Sequence, residues 1–268
     1  MRTEGGDLLS PSIWADCPKS QLNDEGQGYF FFEQFLGGVA DTVASGEQRP
    51  SYGPLHLDCD DDTVVSFLDD LGGRIDIETD GDDNDAWALF TSPFAKIVKN
   101  SGHKVWFEAR VELGDIAMDG GLFVGLAEYA ALSRDAVADD AGDVDEESMF
   151  GFQVMTDDPD AIDAIYRLDD GTTAELLSGI STSSNYTAAG GTSSALVADT
   201  PVKVGMRFDG RDRLEVFFNG YKVYTYEISS TLFPVGVAMG FVICLKTGAD
   251  AAESGAVDWA AGAYQTSS

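Results

Sequence analysis

Positive charge is scarce in this sequence. Lys and Arg number 16 against 47 Asp and Glu, a formal net charge of −31. Phosphate recognition needs a basic stripe, so nucleic acid is excluded as a partner. Anionic membrane surfaces are excluded on the same ground. Cysteine is nearly absent too: Cys17, Cys59 and Cys244 are odd in number and far apart. Such spacing argues against a disulfide framework, and without a CxxC pair a structural zinc site is not expected. The only histidines, His56 and His103, have no nucleophile beside them, and no GxSxG elbow occurs. Each reads as a surface or strand-end residue. No apolar run approaches the ~18 residues of a membrane span. The first residues, MRTEGGDLLSPSIW, contain no apolar signal core. The expectation is synthesis in a cytoplasm without secretory export, which makes the sequon Asn185-Tyr186-Thr187 a coincidence.

What is present is an ordinary globular composition, 44% hydrophobic and 24% charged over 268 residues. That length suits one large β domain and is enough to bury a core without metals or disulfides. The acidity itself has competing explanations. A uniformly acidic surface keeps a protein soluble in a salty or crowded setting. It also attracts divalent cations or a basic partner surface.

Residues 1–28 read as an irregular arm broken by Gly5-Gly6, Pro11 and Pro18, with Ile13 and Trp14 as its large apolar residues. Residues 29–268 read as one sandwich domain. An aromatic run, Tyr29 to Phe35, has strong β preference and ends at Gly37-Gly38. Short apolar or alternating segments follow, separated by turn clusters. Gly73 to Thr79 and Lys104 to Leu113 alternate; in the second, Val105, Phe107, Ala109, Val111 and Leu113 share a face. Thr63 to Leu68, Ala86 to Phe90, Leu122 to Ala127, Met149 to Met155, Val202 to Phe208, Arg213 to Phe218 and Gly236 to Leu245 also read as strands. Ile162 to Leu168 and Glu175 to Ile180 form a predicted hairpin around Asp169-Asp170-Gly171. Asn219-Gly220 tolerates positive φ and marks a second, tight hairpin. Val257 to Ala261 is a candidate last strand. The best helical spacing is Leu126 to Val137. Residues 181–200 are rich in Ser, Thr, Gly and Ala and read as a long loop or weak strands.

The order of four segments carries a resemblance. HKVWFEARVEL, GGLFVGLAE, MFGFQV and VKVGMRFDGRDRLEVFFNGYKVYTYEI resemble the concanavalin A-like, laminin G-like jelly-roll superfamily over roughly residues 29–262. The resemblance implies an all-β, antiparallel jelly-roll sandwich. A narrower one ties GYFFFEQFLGG and IETDGDDNDAWALFTSPF to tailed-phage virion proteins of this fold, similar to capsid decoration or cement proteins. It implies a non-enzymatic structural protein on the outer surface of a phage head, made in the host cytoplasm. Its partners would be the major capsid protein and sister copies, in a homo-oligomer such as a trimer. In that picture Ile13, Trp14, Phe30, Phe31 and Phe32 anchor the arm to a partner, since aromatic anchors are the usual energetic centre of interfaces. The alternative is a lectin-like carbohydrate-binding module, calcium-dependent or not.

Three chemistries remain to be weighed. Asp76, Glu78, Asp80 and Asp82 share strand parity, as a glycosidase pair would. Thr79 and Gly81 replace the expected apolar spacers, so a solvated face running into a loop is the preferred reading. Oxygen donors for calcium are offered by Asp58 to Asp62 and by Asp80, Asp82, Asp83 and Asp85. The second segment partly mimics an EF-hand loop without its closing Glu. Asp139 to Glu147 form a third acidic cluster. Solvated acidic loops are the plain alternative throughout. For a sugar platform the aromatic candidates are Trp87, Tyr186, Tyr221, Tyr224 and Tyr226. Aromatic residues in strands are more often core or cross-strand pairs.

Overall fold

The computed structural model describes residues 9–22, 24, 26–36, 41–43, 51–68, 73–115, 120–139, 143–145, 147–156, 158, 160–169 and 171–266. Gly37-Gly38, Asp140, Glu146 and Asp170 lie outside the described residues. In chain order the strands are β1 (Gly28–Glu33), β2 (Asp41–Val43), β3 (Ser51–Tyr52), β4 (Leu55–Cys59), β5 (Thr63–Leu68), β6 (Arg74–Glu78), β7 (Ala86–Phe90), β8 (Ala95–Lys96) and β9 (Lys104–Leu113). They continue as β10 (Gly120–Glu128), β11 (Met149–Val154), β12 (Asp163–Arg167), β13 (Ala174–Leu177), β14 (Val202–Phe208), β15 (Arg213–Phe218), β16 (Tyr221–Glu227), β17 (Ala238–Thr247) and β18 (Ser254–Gln265). Two short helices, α1 (Pro11–Trp14) and α2 (Ser184–Ala188), complete the regular structure with a few 3-10 turns.

The strands form two nine-stranded antiparallel sheets. The first runs β16-β15-β14-β9-β18-β6-β5-β2, with β1 also on β18. The second runs β13-β12-β11-β10-β17-β7-β4-β3, with β8 also on β17. Strand β18 is long enough to hold β6 along its first part and β1 along its last, with Tyr29 opposite Tyr264. The expected all-β sandwich is therefore observed.

Alternation builds the interior. Val105, Phe107, Ala109, Val111 and Leu113 of β9 point between the sheets, as their period of two requires. Leu122, Val124 and Leu126 of β10 and Phe150, Phe152 and Val154 of β11 meet them from the other sheet. Phe107 lies 6.1 Å from Phe150 and 6.0 Å from Phe241, ring centre to ring centre. Where β10 crosses β11, Gly125 faces Gly151, and a Cβ on Gly125 would sit 2.4 Å from the Phe150 carbonyl oxygen. The tip of the Phe123 ring fills the space that side chains would otherwise occupy.

Part of each outer sheet face is covered as well. On the second sheet, Ala131, Leu132, Ala136, Val137 and Val144 cover Phe123, Ala127, Val242 and Cys244. This corrects the helix expected over Leu126 to Val137. Leu126 and Ala127 finish β10, and the rest makes two 3-10 turns, Tyr129–Ala131 and Arg134–Ala136. Its apolar spacing of three and four serves a cap lying on a sheet. Lys246, 5% exposed, ties the cap down through Asp139 at 2.6 Å.

The N-terminal arm covers the first sheet. Leu9, Ile13, Trp14, Cys17 and Leu22 pack on Trp106, Phe217, Trp259, Ala261 and Ala263. A bulge between Val257 and Trp259 in β18 turns Trp259 to this outer face. The Trp14 indole N–H donates to Oε2 of Glu108 at 2.7 Å, and the Ser10 N–H donates to the same oxygen at 3.0 Å. Asp16 accepts from Lys104 at 2.8 Å and from Trp106 and Arg207 at 3.2 Å. Burial works to raise the Asp16 carboxyl, but these partners outweigh it and hold it below its ordinary value.

Candidate functional site

The structure redistributes the predicted site residues. Ile13 and Trp14 are 1% and 4% exposed, so they are not free anchors for a partner. They are spent on the protein's own sheet, because that outer face carries Trp106 and Trp259, which must be kept from water. Phe31 is also buried and faces the inter-sheet core, 6.0 Å from Phe241. Phe30 and Phe32 are half-buried beside the arm, Phe30 edge-on to Trp14 and Phe32 tilted against Trp259. The predicted aromatic anchor is thus split between two cores.

The sugar-platform candidates are mostly core too. Trp87 is 1% and Tyr186 6% exposed. Tyr226 stacks on Tyr166 with ring centres 5.6 Å apart and packs on the core with Tyr224. Tyr221 is partly open, T-shaped against Tyr186. All three cysteines are buried and free.

The strand-face carboxylates line a polar groove of about 210 Å³ on the outer face of the first sheet. Asp76 and Glu78 come from β6, and Glu112 joins them from β9. Arg74 fills the role a substrate would need vacant. Its Nε bonds Asp76 at 2.6 Å and its terminal nitrogen bonds Glu112 at 2.8 Å. Asp80 and Asp82 lie beyond β6 and do not line this groove.

The loop after β6 does bring acids together. One oxygen from each of Asp80, Asp82 and Asp85 falls within 4.8 Å of the others. Asp83 is not part of the group. Asp85 is pushed up to about 7, by burial first and then by its hydrogen bond with Asp80 and the charges of Asp80 and Asp60. Two carboxyls this close favour a proton on Asp85, and a cation could take its place. Three carboxylate oxygens on one side suit calcium, a hard ion that takes oxygen donors in loose geometry. Glu128, Glu147 and Asp169 make a second such trio, with Glu147 also raised to about 7, chiefly by its hydrogen bond with Glu128.

A different site was hidden in the sequence. At one end of the sandwich lies an open cleft of about 580 Å³. Its aromatic wall is Tyr29 of β1, Phe94 from the segment before β8, and Tyr264 near the end of β18, with His56 of β4 opposite. Gly26, Gly28, Pro54, Ser92, Pro93 and Thr266 complete the lining. Tyr29 and Phe94 stand 5.2 Å apart at 43°. The backbone of β1 approaches β18 so closely that a Cβ on Gly28 would sit 2.0 Å from the Tyr264 carbonyl oxygen. The hydroxyl of Thr266 donates to the Gly26 carbonyl at 2.7 Å and closes the rim.

Hydrogen bonds fix the cleft's polar groups. The Tyr264 hydroxyl lies 2.7 Å from Nδ1 of His103, and the two rings meet edge to face. His56 Nδ1 lies 2.8 Å from the Ser51 hydroxyl. Burial pushes the phenols of Tyr29 and Tyr264 above their ordinary value, so both remain neutral hydroxyl groups. None of the ten described lining residues is Asp, Glu, Lys or Arg, in a chain with 47 acids. Rings for stacking and neutral hydroxyls for hydrogen bonding are what the cleft offers a ligand.

Searches of family models and of curated proteins find no match to this sequence. Solved structures do match. A protein of unknown function from Shewanella oneidensis MR-1 superposes with a TM-score of 0.54 at 14% identity, over 99% of this chain and 97% of that one. Peanut lectin, determined with a nine-residue peptide, gives 0.50 at 13% identity, over 90% and 99%. The endo-β-1,4-glucuronan lyase of the fungus Trichoderma reesei gives 0.50 at 9% identity, over 86% and 95%. The chain has the concanavalin A-like fold. Identities this low establish the fold alone, and this fold serves both a lectin and a lyase, so function rests on the site.

Proposed function

We propose that this protein is a non-catalytic, lectin-like glycan-binding protein whose ligand occupies the cleft of Tyr29, His56, Phe94 and Tyr264. The observation that carries the reading is the cleft's composition: aromatic rings and hydroxyl groups, with no Asp, Glu, Lys or Arg among the described lining residues, in a chain of net charge −31. The C–H faces of a sugar ring stack on aromatic carbon, and its hydroxyls need directional neutral partners. The occupation of Asp76 and Glu112 by Arg74 supports the absence of turnover at the other groove. The test is a glycan array followed by calorimetry with the best ligand. Phe94→Ala and the exposed-site variant His56→Ala should each weaken binding by about tenfold or more, with unchanged circular dichroism. Undiminished binding by both would refute the assignment.

The second reading is a virion protein on a phage head. It is supported by the resemblance of GYFFFEQFLGG and IETDGDDNDAWALFTSPF to segments of tailed-phage virion proteins. With Ile13 and Trp14 committed to their own sheet, attachment would use other surface. Co-sedimentation with purified shells tests it, and protein left wholly in the supernatant would dismiss it.

A further inference from the structure

We infer that the cleft selects uncharged glycans and rejects both uronic or sulfated sugars and free amino sugars. This deepens the glycan-binding reading and rests on it. Anionic sugars are held by guanidinium or ammonium groups, which match a carboxylate or sulfate with charge-assisted bonds. Among the described residues the cleft lining has none. A ligand carboxylate brought against Tyr29, Phe94 and Tyr264 would lose water without gaining a cation. It would also approach through the field of a chain with 31 excess negative charges. Amino sugars are drawn in by that field, but the described lining residues include no carboxylate to pair them. Their attraction is therefore long-range and is lost to screening. A neutral glycan feels neither effect.

His56 also lines the cleft. Its Nδ1 is engaged by Ser51, and the ring of Phe90 lies 5.8 Å away. The selection thus belongs to rings and hydroxyls in a chain that is otherwise strongly acidic.

The experiment compares three β-1,4-linked oligosaccharide series of equal length, in which the sugar is glucose, glucuronic acid or glucosamine, together with an array of neutral and charged glycans. Binding is measured at about 0.01 M and about 0.15 M salt, where the screening length falls from about 30 Å to about 8 Å. The expected result is a neutral best ligand whose affinity is the same at both salts. Each charged counterpart should be weaker by about tenfold or more at the higher salt. An anionic best ligand would overturn the inference, and so would an amino sugar that keeps its affinity when salt is added. Phe94→Ala is run alongside. If no glycan loses affinity in that variant, the cleft reading itself fails, which is distinct from a cleft that binds charged and neutral sugars alike.

Discussion

Replacing Trp14 measures how firmly the arm belongs to the sandwich. The side chain is 4% exposed, stands edge-on to Phe30 at 5.9 Å and donates its indole N–H to Glu108. Glu108 is wholly buried, and its other oxygen, Oε1, has no hydrogen-bond partner. Trp14→Ala removes a buried aromatic side chain, which costs about 3–5 kcal/mol. Trp14→Phe keeps a ring and deletes the donor; a hydrogen bond to a charged group is worth about 1.5–3 kcal/mol. The pH dependence follows from Glu108. Burial raises its carboxyl above the ordinary value of 4.5, while the Ser10 and Trp14 bonds pull it back. Losing the Trp14 donor raises it further. A raised carboxyl favours the folded state below its unfolded value, and that contribution is lost as pH rises through the folded value. The Trp14→Phe defect should therefore be largest at neutral pH and shrink as pH falls toward 4.5. Denaturant unfolding followed by fluorescence and circular dichroism measures both variants. If Trp14→Ala unfolds at the same midpoint as the parent, the arm is not part of the folded unit and the reasoning is wrong.

Other consequences are as specific. Asp85, raised to about 7 beside Asp80, contributes stability below its ordinary 3.8 that is lost as pH rises through about 7. Calcium replacing the Asp85 proton should raise Tm more at about pH 8 than at about pH 5, and Asp85→Asn should remove the difference; an equal shift at both pH values would contradict this. Burial pushes the thiols of Cys17 and Cys244 up to about 12. Neither should react with iodoacetamide at about pH 8 until the protein unfolds, and prompt native labelling would disprove their packing. Gly125→Ala should destabilise by about 1–3 kcal/mol, because its Cβ would meet the Phe150 oxygen at 2.4 Å and Gly151 Cα at 2.7 Å. An unchanged midpoint would show that β10 and β11 can part more easily than this packing allows.

Most of the strands were legible because one face of each enters the core, although β2, β3, β4 and β8 were not read from the sequence. Lys104 to Leu113 alternates except at Trp106 and forms β9 with those limits. The outer covers were not legible. An outer sheet face normally meets water, and nothing in Trp106 or Trp259 says that an arm some ninety residues or more away will lie on it. The same blindness turned the cap after β10 into a predicted helix. The acidic trio was partly legible because Asp80, Asp82 and Asp85 are close in the chain, although Asp83 is not one of the three. The cleft was not. Its residues come from four separated stretches, around Tyr29, His56, Phe94 and Tyr264, and no spacing rule joins them. Tyr264 also lies beyond Ala261, where the last strand was expected to stop; β18 runs on to Gln265. The one signal available was local: Ser92-Pro93-Phe94 and Gly53-Pro54 are stretches free of acids in an acidic chain.

NMR titration of the isotopically labelled protein with a neutral oligosaccharide tests the central claim most directly. The account predicts that resonances of Tyr29, His56, Phe94 and Tyr264 move together and saturate at one affinity, while those of Arg74, Asp76 and Glu112 stay in place. Shifts confined to the Arg74 groove or to the Asp80–Asp85 loop would contradict it.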